Sequence, residues 1–597
     1  MTATLEDVAG ESFDFTAGLT LAARLTEDPS VSVLALEAGA AHIDDPDTLR
    51  PASHGSQFGN ESYDWSFRTV SHSEVHQTRC RDTHHVWNRG KGLGGSSIIN
   101  FMVWTKPTAE EINDFERLGN PGWNWNNYQK YVARTEGFIS PHEEVQRTFK
   151  LNYDAANVGS EGPLKITYPA TIDPAELKMQ QTLINAGVPV AANPPAGAYF
   201  APSTYDPVTH TRSYATTAFY LPNAERPNLK VLVCAHARRV CTISAPNGNL
   251  TAVGVEFEHA GRLYTVSARK EVVIAMGALQ SPQMLELSGI GNKEVLEKVG
   301  IPTKIDLPGV GRNVQEHLEI GVSFELRDDA NFDTLCLLRD PAVAAKHLEL
   351  HKSGSGLYTT GITNFAFISP KVASCGIDEI ARAARAKFTE NAASYPPGLL
   401  EQYDIQLRRL EAGEPLCEII SYPGFMSTPN PPLPGKRYVT FTIVLNGPFS
   451  RGTIHCSSNG PLVDPELDPH YLEEEIDLQI MTEMVKFVRG FAQVPPFKDM
   501  ISKELNPGAE IKDDIEIINF IKRNCETMWH TIGSCSMLPK DRDGVVDPEL
   551  KVYGTNNLRV VDLSVAPLHF SAHSLATVYA ISEQAADLLK GGQKCAQ

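Results

Sequence analysis

Phe13-Asp14-Phe15-Thr16-Ala17-Gly18-Leu19 opens a βαβ pattern: a short apolar run, a turn at Gly18, and a helical segment from Leu19 to about Glu27. A strand, Val31-Ser32-Val33-Leu34-Ala35-Leu36, follows and ends at Glu37-Ala38-Gly39. Strand, glycine turn, helix, strand and an acid about 20 positions past the turn make a dinucleotide-binding unit, in which the acid holds a ribose. Gly18 stands at the turn and Glu37 where the acid belongs. Yet a single glycine replaces the expected G-x-G-x-x-G run, and the first strand reads as three residues, Phe13 to Phe15. Either the nucleotide site is crippled or a short piece of chain is missing.

Glycine- and histidine-bearing segments recur downstream in a fixed order. They are Arg89-Gly90-Lys91-Gly92-Leu93-Gly94-Gly95-Ser96-Ser97-Ile98-Ile99-Asn100, then Gly277-Ala278-Leu279-Gln280-Ser281-Pro282 running on to Gly291, and Leu307-Pro308-Gly309-Val310-Gly311-Arg312-Asn313-Val314-Gln315-Glu316-His317. Near the end come His530-Thr531-Ile532-Gly533-Ser534, Val560-Val561-Asp562-Leu563-Ser564 and Ala572-His573-Ser574. Over nearly the whole chain this series resembles the glucose-methanol-choline (GMC) oxidoreductases, with a pattern nearest fungal aryl-alcohol oxidases and secondary-metabolite dehydrogenases.

The resemblance implies FAD as cofactor and oxidation of an alcohol to an aldehyde or ketone. It implies an α/β FAD-binding domain of Rossmann-like type, interleaved with an α+β substrate domain built on an antiparallel sheet. The FAD domain takes residues 1–154, 228–317 and 545–597, and the substrate domain takes 155–227 and 318–544. The resemblance also assigns residues. Gly18 and Glu37 belong to the nucleotide unit. Gly94, Gly95 and Ser96 bring backbone against flavin and pyrophosphate, since glycine has no Cβ to obstruct the approach. Asn100 lies beside the isoalloxazine edge, Asp562 near the pyrophosphate and ribityl chain, and Ala237 and Leu563 complete the cofactor-facing set.

Alcohol dehydrogenation needs a base for the hydroxyl proton, and histidine, with an ordinary pKa near 6.5, suits that work. By resemblance His530 is the base, and His573 hydrogen-bonds the substrate oxygen, a histidine there as in aryl-alcohol oxidases. Of the 18 histidines, His84, His85 and His317 receive no catalytic role, and His317 is grouped with the structural segment from Asn313.

Bulk properties narrow the partners. The chain has 597 residues, 42% hydrophobic and 21% charged, and a net charge of −19. That charge argues against a nucleic-acid backbone as partner. No apolar stretch reaches the ~18 residues of a membrane span. The ten cysteines include no C-x-x-C pair, so no metal site or disulfide framework is expected. Without a signal-like N-terminus the protein is expected to be intracellular. The expected partners are a small-molecule alcohol and oxygen or another electron acceptor.

Within the substrate domain, Tyr438 to Val444 reads as a strand and Asp477 to Arg489 as a helix. The charged stretch from Ile377 to Cys417, with the proline-rich run at 427–434, reads as a surface excursion or a substrate-access lid.

About six residues, the end of the first strand and the glycine turn, are absent relative to the dinucleotide pattern. Their loss removes backbone N–H donors to the pyrophosphate, each charge-assisted bond contributing about 1.5–3 kcal/mol. Three readings stay open: a flavin-deficient product of a gene-model deletion, a weakened flavoprotein, or a protein turned from flavin to non-redox chemistry, such as a lyase or cyclase on the same scaffold, or to a binding role.

Overall fold

The computed structural model describes residues 2–8, 11–16, 18–53, 55–70, 84–151, 153, 157–192 and 196–591. Its first sheet begins with the βαβ unit: β1 (Ser12–Thr16), α1 (Leu19–Leu25) and β2 (Val33–Leu36). It continues with β3 (Leu229–Leu232), β4 (Ala235–Ser244), β5 (Leu250–His259) and β6 (Arg262–Ile274), in the order β3-β2-β1-β6-β5-β4. The β3, β2, β1 and β6 pairings are parallel, while β4, β5 and β6 form an antiparallel meander. Parallel strands are covered on both faces, and Val33, Leu34, Val231, Val272 and Ile274 are buried accordingly.

The first strand is longer than its sequence suggests, five residues rather than three. Phe15 and Thr16 pair with Val33 and Leu34 on one side and with Glu271 and Val272 on the other, after a register shift between Phe13 and Phe15. The pairing partners on both sides impose extended backbone on a segment whose own pattern ends early. The connection from strand to helix is correspondingly short. β1 ends at Thr16, and α1 starts at Leu19 with Gly18 as its N-cap residue.

Helix α2 (Gly277–Leu287) follows β6 directly. The second sheet holds β7 (Leu318–Leu326), β8 (Asn364–Ile368), β9 (Cys417–Tyr422), β10 (Tyr438–Leu445), β11 (Ile501–Asn506) and β12 (Glu526–Thr527). Its antiparallel order is β8-β9-β10-β7-β11, with β12 against β7. Side chains alternate between faces along each strand. Ile419, Phe441, Ile443, Leu318 and Ile320 join the core under helices α3 (Ile377–Glu390), α4 (Leu399–Ala412) and α5 (Glu475–Gly490). Ile420, Val444, Phe365 and Phe367 form a separate cluster on the other face. Period two puts Glu418 and Glu319 on that second face. Of the stretch read as a surface excursion or lid, helices α3 and α4 are instead a packing layer, with Ile377, Ala381, Phe388, Tyr403, Leu407 and Leu410 all buried, whereas the proline-rich run at 427–434 is half-buried or exposed.

The chain returns to the first sheet as β13 (Leu558–Val560), parallel to β6, and ends in α6 (Leu575–Leu589). A seven-residue helix is marginal alone. α1 is held by α6, where Arg24 meets the buried Glu583 at 2.7 Å.

Candidate active site

A cavity of about 450 Å³ is lined by residues of both sheets, within the range that holds small-molecule ligands. From the βαβ side come Gly18, Glu37 and Ala237; along its length lie Gly94, Gly95, Ser96, Asn100, Asp562 and Leu563; toward the second sheet stand His530 and His573. Every residue singled out from sequence therefore borders one space, although the residues are scattered from position 18 to position 573.

At the βαβ side, Glu37 accepts from the Gly39 amide at 2.7 Å. Burial pushes its carboxyl up to about 7, against the backbone hydrogen bonds that pull it down. Gly94 has φ +108, and a Cβ there would lie 2.9 Å from Thr216 Oγ1. Gly95 (φ +56) and Gly277 (φ +78) have open space where a Cβ would be, as a cradle for a closely approaching group requires. Ser96 Oγ accepts from the Gly90 amide at 3.1 Å. Asn100 Oδ1 accepts from Arg212 at 2.6 Å and from the Met102 amide at 3.0 Å, which leaves its NH₂ group for the cavity. Arg212 is 2% exposed and also donates to the carbonyls of Thr48, Ser97 and Asn100.

Asp562 lines the cavity, but its carboxylate is already engaged. It accepts from the Gly277 amide at 3.0 Å, from Ser281 and from the Ser564 amide at 2.8 Å. It ties the first turn of α2 to the segment after β13, and burial raises its pKa.

Four histidines meet at the other side. The rings of His530 and His573 are 4.9 Å apart, those of His317 and His530 5.1 Å, and His317 stacks on His569 at 3.6 Å. His317, grouped from sequence with the structural segment, belongs to this cluster as well: its Nδ1 lies 3.0 Å from His530 Nδ1. His573 Nε2 donates to Glu418 Oε1 at 2.9 Å. The His530 amide donates to Glu316 at 2.6 Å, and His569 Nε2 donates to the His530 carbonyl at 2.8 Å. Burial, then the neighbouring His573, His569 and Arg89, holds His530 well below the usual imidazole range. The backbone is unusual beside the key residues, with Trp529 at φ +59 and Met102 at φ +62. Such values in bulky residues store strain and cluster at functional sites.

Glu418, Asn446, Glu319 and Arg212 escaped the sequence reading. Glu418 and Glu319 left a signal, as lone acids in apolar strand runs, Cys417-Glu418-Ile419-Ile420 and Leu318-Glu319-Ile320. Arg212 and Asn446 left none, because their partners come from distant segments.

An α/β unit, an antiparallel sheet and a cavity from a nucleotide-type strand edge to a histidine cluster define a two-sheet oxidoreductase architecture. The chain matches the models of the family described as GMC oxidoreductase over residues 37–319 and 448–582, the first match beginning at Glu37, beyond the shortened turn. It is 32% identical to dehydrogenase mpl7 of Monascus purpureus, over 97% of this chain and 96% of that protein. It superposes on an FAD-dependent oxidoreductase from Chaetomium thermophilum with a TM-score of 0.88 and 29% identity, over 97% of this chain and 99% of that one. A fungal aryl-alcohol oxidase gives 0.85 and 26%, over 97% and 98%. The chain belongs to the GMC oxidoreductase family: it is an FAD-dependent enzyme acting on alcohol groups, with a small-molecule substrate and an electron acceptor as partners.

The residues present fit FAD along most of the cavity. Glu37 suits a ribose, the glycine cradle suits the phosphates and flavin, and the Asn100 amide suits a flavin edge. The shortfall lies at the pyrophosphate, where one glycine and the first turn of α1 stand in for a full glycine loop. No helix among the described residues is long and apolar enough to cross a membrane.

Proposed function

We propose that the enzyme oxidises an alcohol carried on an apolar or aromatic body to an aldehyde or ketone, with His530 as base and His573 holding the oxygen, in a step of secondary metabolism. The observation that carries this reading is the pair of imidazoles 4.9 Å apart on the wall of the cavity shared with the glycine cradle. FAD, when bound, supplies the hydride acceptor.

The chain's own residues then have three tasks. His530, whose charged form burial disfavours, has a lone pair for the hydroxyl proton. His573 is anchored through Nε2 by Glu418, which leaves Nδ1 for the substrate oxygen. Trp529, Phe58 and Phe101 pack together with ring centroids 5.0–6.1 Å apart and Phe365 meets His573 edge-on at 5.3 Å. They exclude water and favour an apolar or aromatic substrate body. The dehydrogenases and the aryl-alcohol oxidase among its relatives support the substrate class and the metabolic setting.

Anaerobic stopped-flow mixing of FAD-loaded protein with a panel of aryl and unsaturated alcohols tests the reading. Bleaching of the flavin at a rate set by the alcohol is expected. Turnover without bleaching would replace this reading with non-redox lyase or cyclase chemistry at the same histidines.

A further inference from the structure

Behind the cavity wall Glu418 accepts through both oxygens: Oε1 from His573 Nε2 at 2.9 Å, and Oε2 from Asn446 Nδ2 at 3.3 Å. A carboxylate oxygen only accepts, so the end of the Asn446 amide that faces it is the NH₂ group. Asn446 and His317 are both fully buried, and the same nitrogen lies 3.4 Å from His317 Nδ1. With one hydrogen on Glu418, the amide directs its second to His317 Nδ1, which must then carry a lone pair. His530 Nδ1 lies 3.0 Å from that same atom. Two ring nitrogens at this distance need one hydrogen between them. Since His317 Nδ1 accepts, His530 Nδ1 carries the proton, and a neutral imidazole has only one N–H.

The reverse arrangement sets the Asn446 N–H against a His317 N–H and moves the His530 proton to Nε2. His317 Nε2 meets no side-chain hydrogen-bond partner among the described residues, whichever arrangement holds, so no side chain there decides between them. Asn446 does, and Glu418 decides which way Asn446 points.

We propose that Asn446 and His317 are positioning residues that lock His530 in the Nδ1–H tautomer, with Nε2 unprotonated toward the substrate. The inference rests on reading His530 as the base, and it gives Glu418 a double part. Through one oxygen it makes His573 a donor to carboxylate; through the other, by way of two residues, it keeps His530 an acceptor. Without the lock, an uncharged His530 spends part of its time in the form that cannot take a proton.

Long-range ¹H–¹⁵N spectra of the full chain labelled at histidine nitrogen test this without any dependence on turnover, with His530 assigned by the signals lost in His530→Ala. The expected wild-type pattern is a protonated Nδ1 and an unprotonated Nε2. In Asn446→Leu the other tautomer becomes populated, and flavin reduction in the loaded enzyme falls in proportion to the fraction of the first form lost. His317→Asn, whose Oδ1 can accept in place of Nδ1, retains the wild-type pattern that His317→Leu loses. A wild-type His530 protonated at Nε2, or an unchanged ring pattern in Asn446→Leu, overturns the lock. If His530→Ala reduces flavin as fast as wild type while the wild-type pattern is as expected, the base assignment falls and the lock stands. The wild-type spectrum decides even where a variant does not fold.

Discussion

At the Gly18 side of the cavity a short turn with one glycine joins β1 to α1, and one half-buried carboxyl, Glu37, is held by the Gly39 amide at 2.7 Å. At the His530 side two imidazoles are braced by Glu316, Glu418, His317 and Asn446 through contacts of 2.6–3.4 Å. On the proposed function, the first region grips the cofactor and the second moves a proton. Their unequal construction means that affinity for FAD and competence for chemistry are separable properties here. A chain can keep every hydrogen bond around its histidines and still hold FAD poorly.

The largest effect that would sharpen this contrast is at His530. In FAD-loaded protein, His530→Ala is expected to slow flavin reduction by about 10²–10⁴, the usual contribution of a general base, while FAD retention stays as in wild type. His573→Ala slows it as well, and His573→Asn less, because an amide can still hydrogen-bond the substrate hydroxyl. Equal reduction rates in wild type and both alanine variants would break the comparison at its chemical end.

The converse test rebuilds the other side. Inserting Val-Ile-Val-Gly-Gly-Gly after Phe15 lengthens the strand end and restores a glycine turn before α1. Two recovered N–H···phosphate bonds at about 1.5–3 kcal/mol each raise FAD affinity about 10²-fold or more. The expected product is a yellow protein from a pale one, with the histidine ring signals unmoved. Stoichiometric FAD on the unaltered chain would show that α1 and Glu37 suffice.

A smaller change belongs to Glu37 itself. Glu37→Ala is expected to weaken FAD binding about tenfold, the scale of one charge-assisted hydrogen bond, and to leave the reactivity of bound flavin nearly intact. Isothermal titration and stopped-flow reduction on the same preparation separate the two; unchanged affinity removes Glu37 from the site.

The two regions also differ in how far they could be read from sequence. The βαβ unit announces itself locally, through period, glycine and a spaced acid, so even a damaged version was legible at Gly18 and Glu37. The histidine pair was legible only through family resemblance, and its supports were not legible at all. Glu418 lies on β9, Asn446 just past β10, and His317 just before β7, so a hydrogen-bonded chain in space has no counterpart in sequence order. The same blindness shortened β1. Residues 15 and 16 are extended because β2 and β6 flank them, a tertiary fact that overrides a weak local pattern. The charged helices α3 and α4 look like a surface excursion in sequence for the opposite reason: their exposed charges are conspicuous, while the apolar stripe buried on the second sheet is spread thinly at helical spacing.

The last expected effect is one of pH, read in stability rather than in rate or affinity, and it again separates the two regions. Glu319, 8% exposed on the cavity face of β7, is pushed up to about 8, first by burial and then by Glu526 and Glu418. Glu37 is pushed up to about 7 by burial alone. A carboxyl whose pKa is raised on folding is protonated in the native state where it is already ionised in the unfolded chain. Its favourable contribution is therefore complete below about 4.5, the ordinary value for both groups, and is lost as pH rises toward the folded value. For Glu319 the loss extends to about pH 8, and for Glu37 it ends near pH 7. The slope is at most about 1.4 kcal/mol per pH unit for either group. Glu319→Gln keeps the shape and removes the titration. Relative to wild type the variant should thus gain unfolding free energy as pH goes from 5 to 8, whereas Glu37→Gln should stop gaining at about pH 7. Urea unfolding of both variants and wild type at pH 5, 6, 7 and 8 reads the difference directly. A gap to wild type that stays constant with pH would mean that water reaches these carboxyls and that neither is buried as a neutral acid.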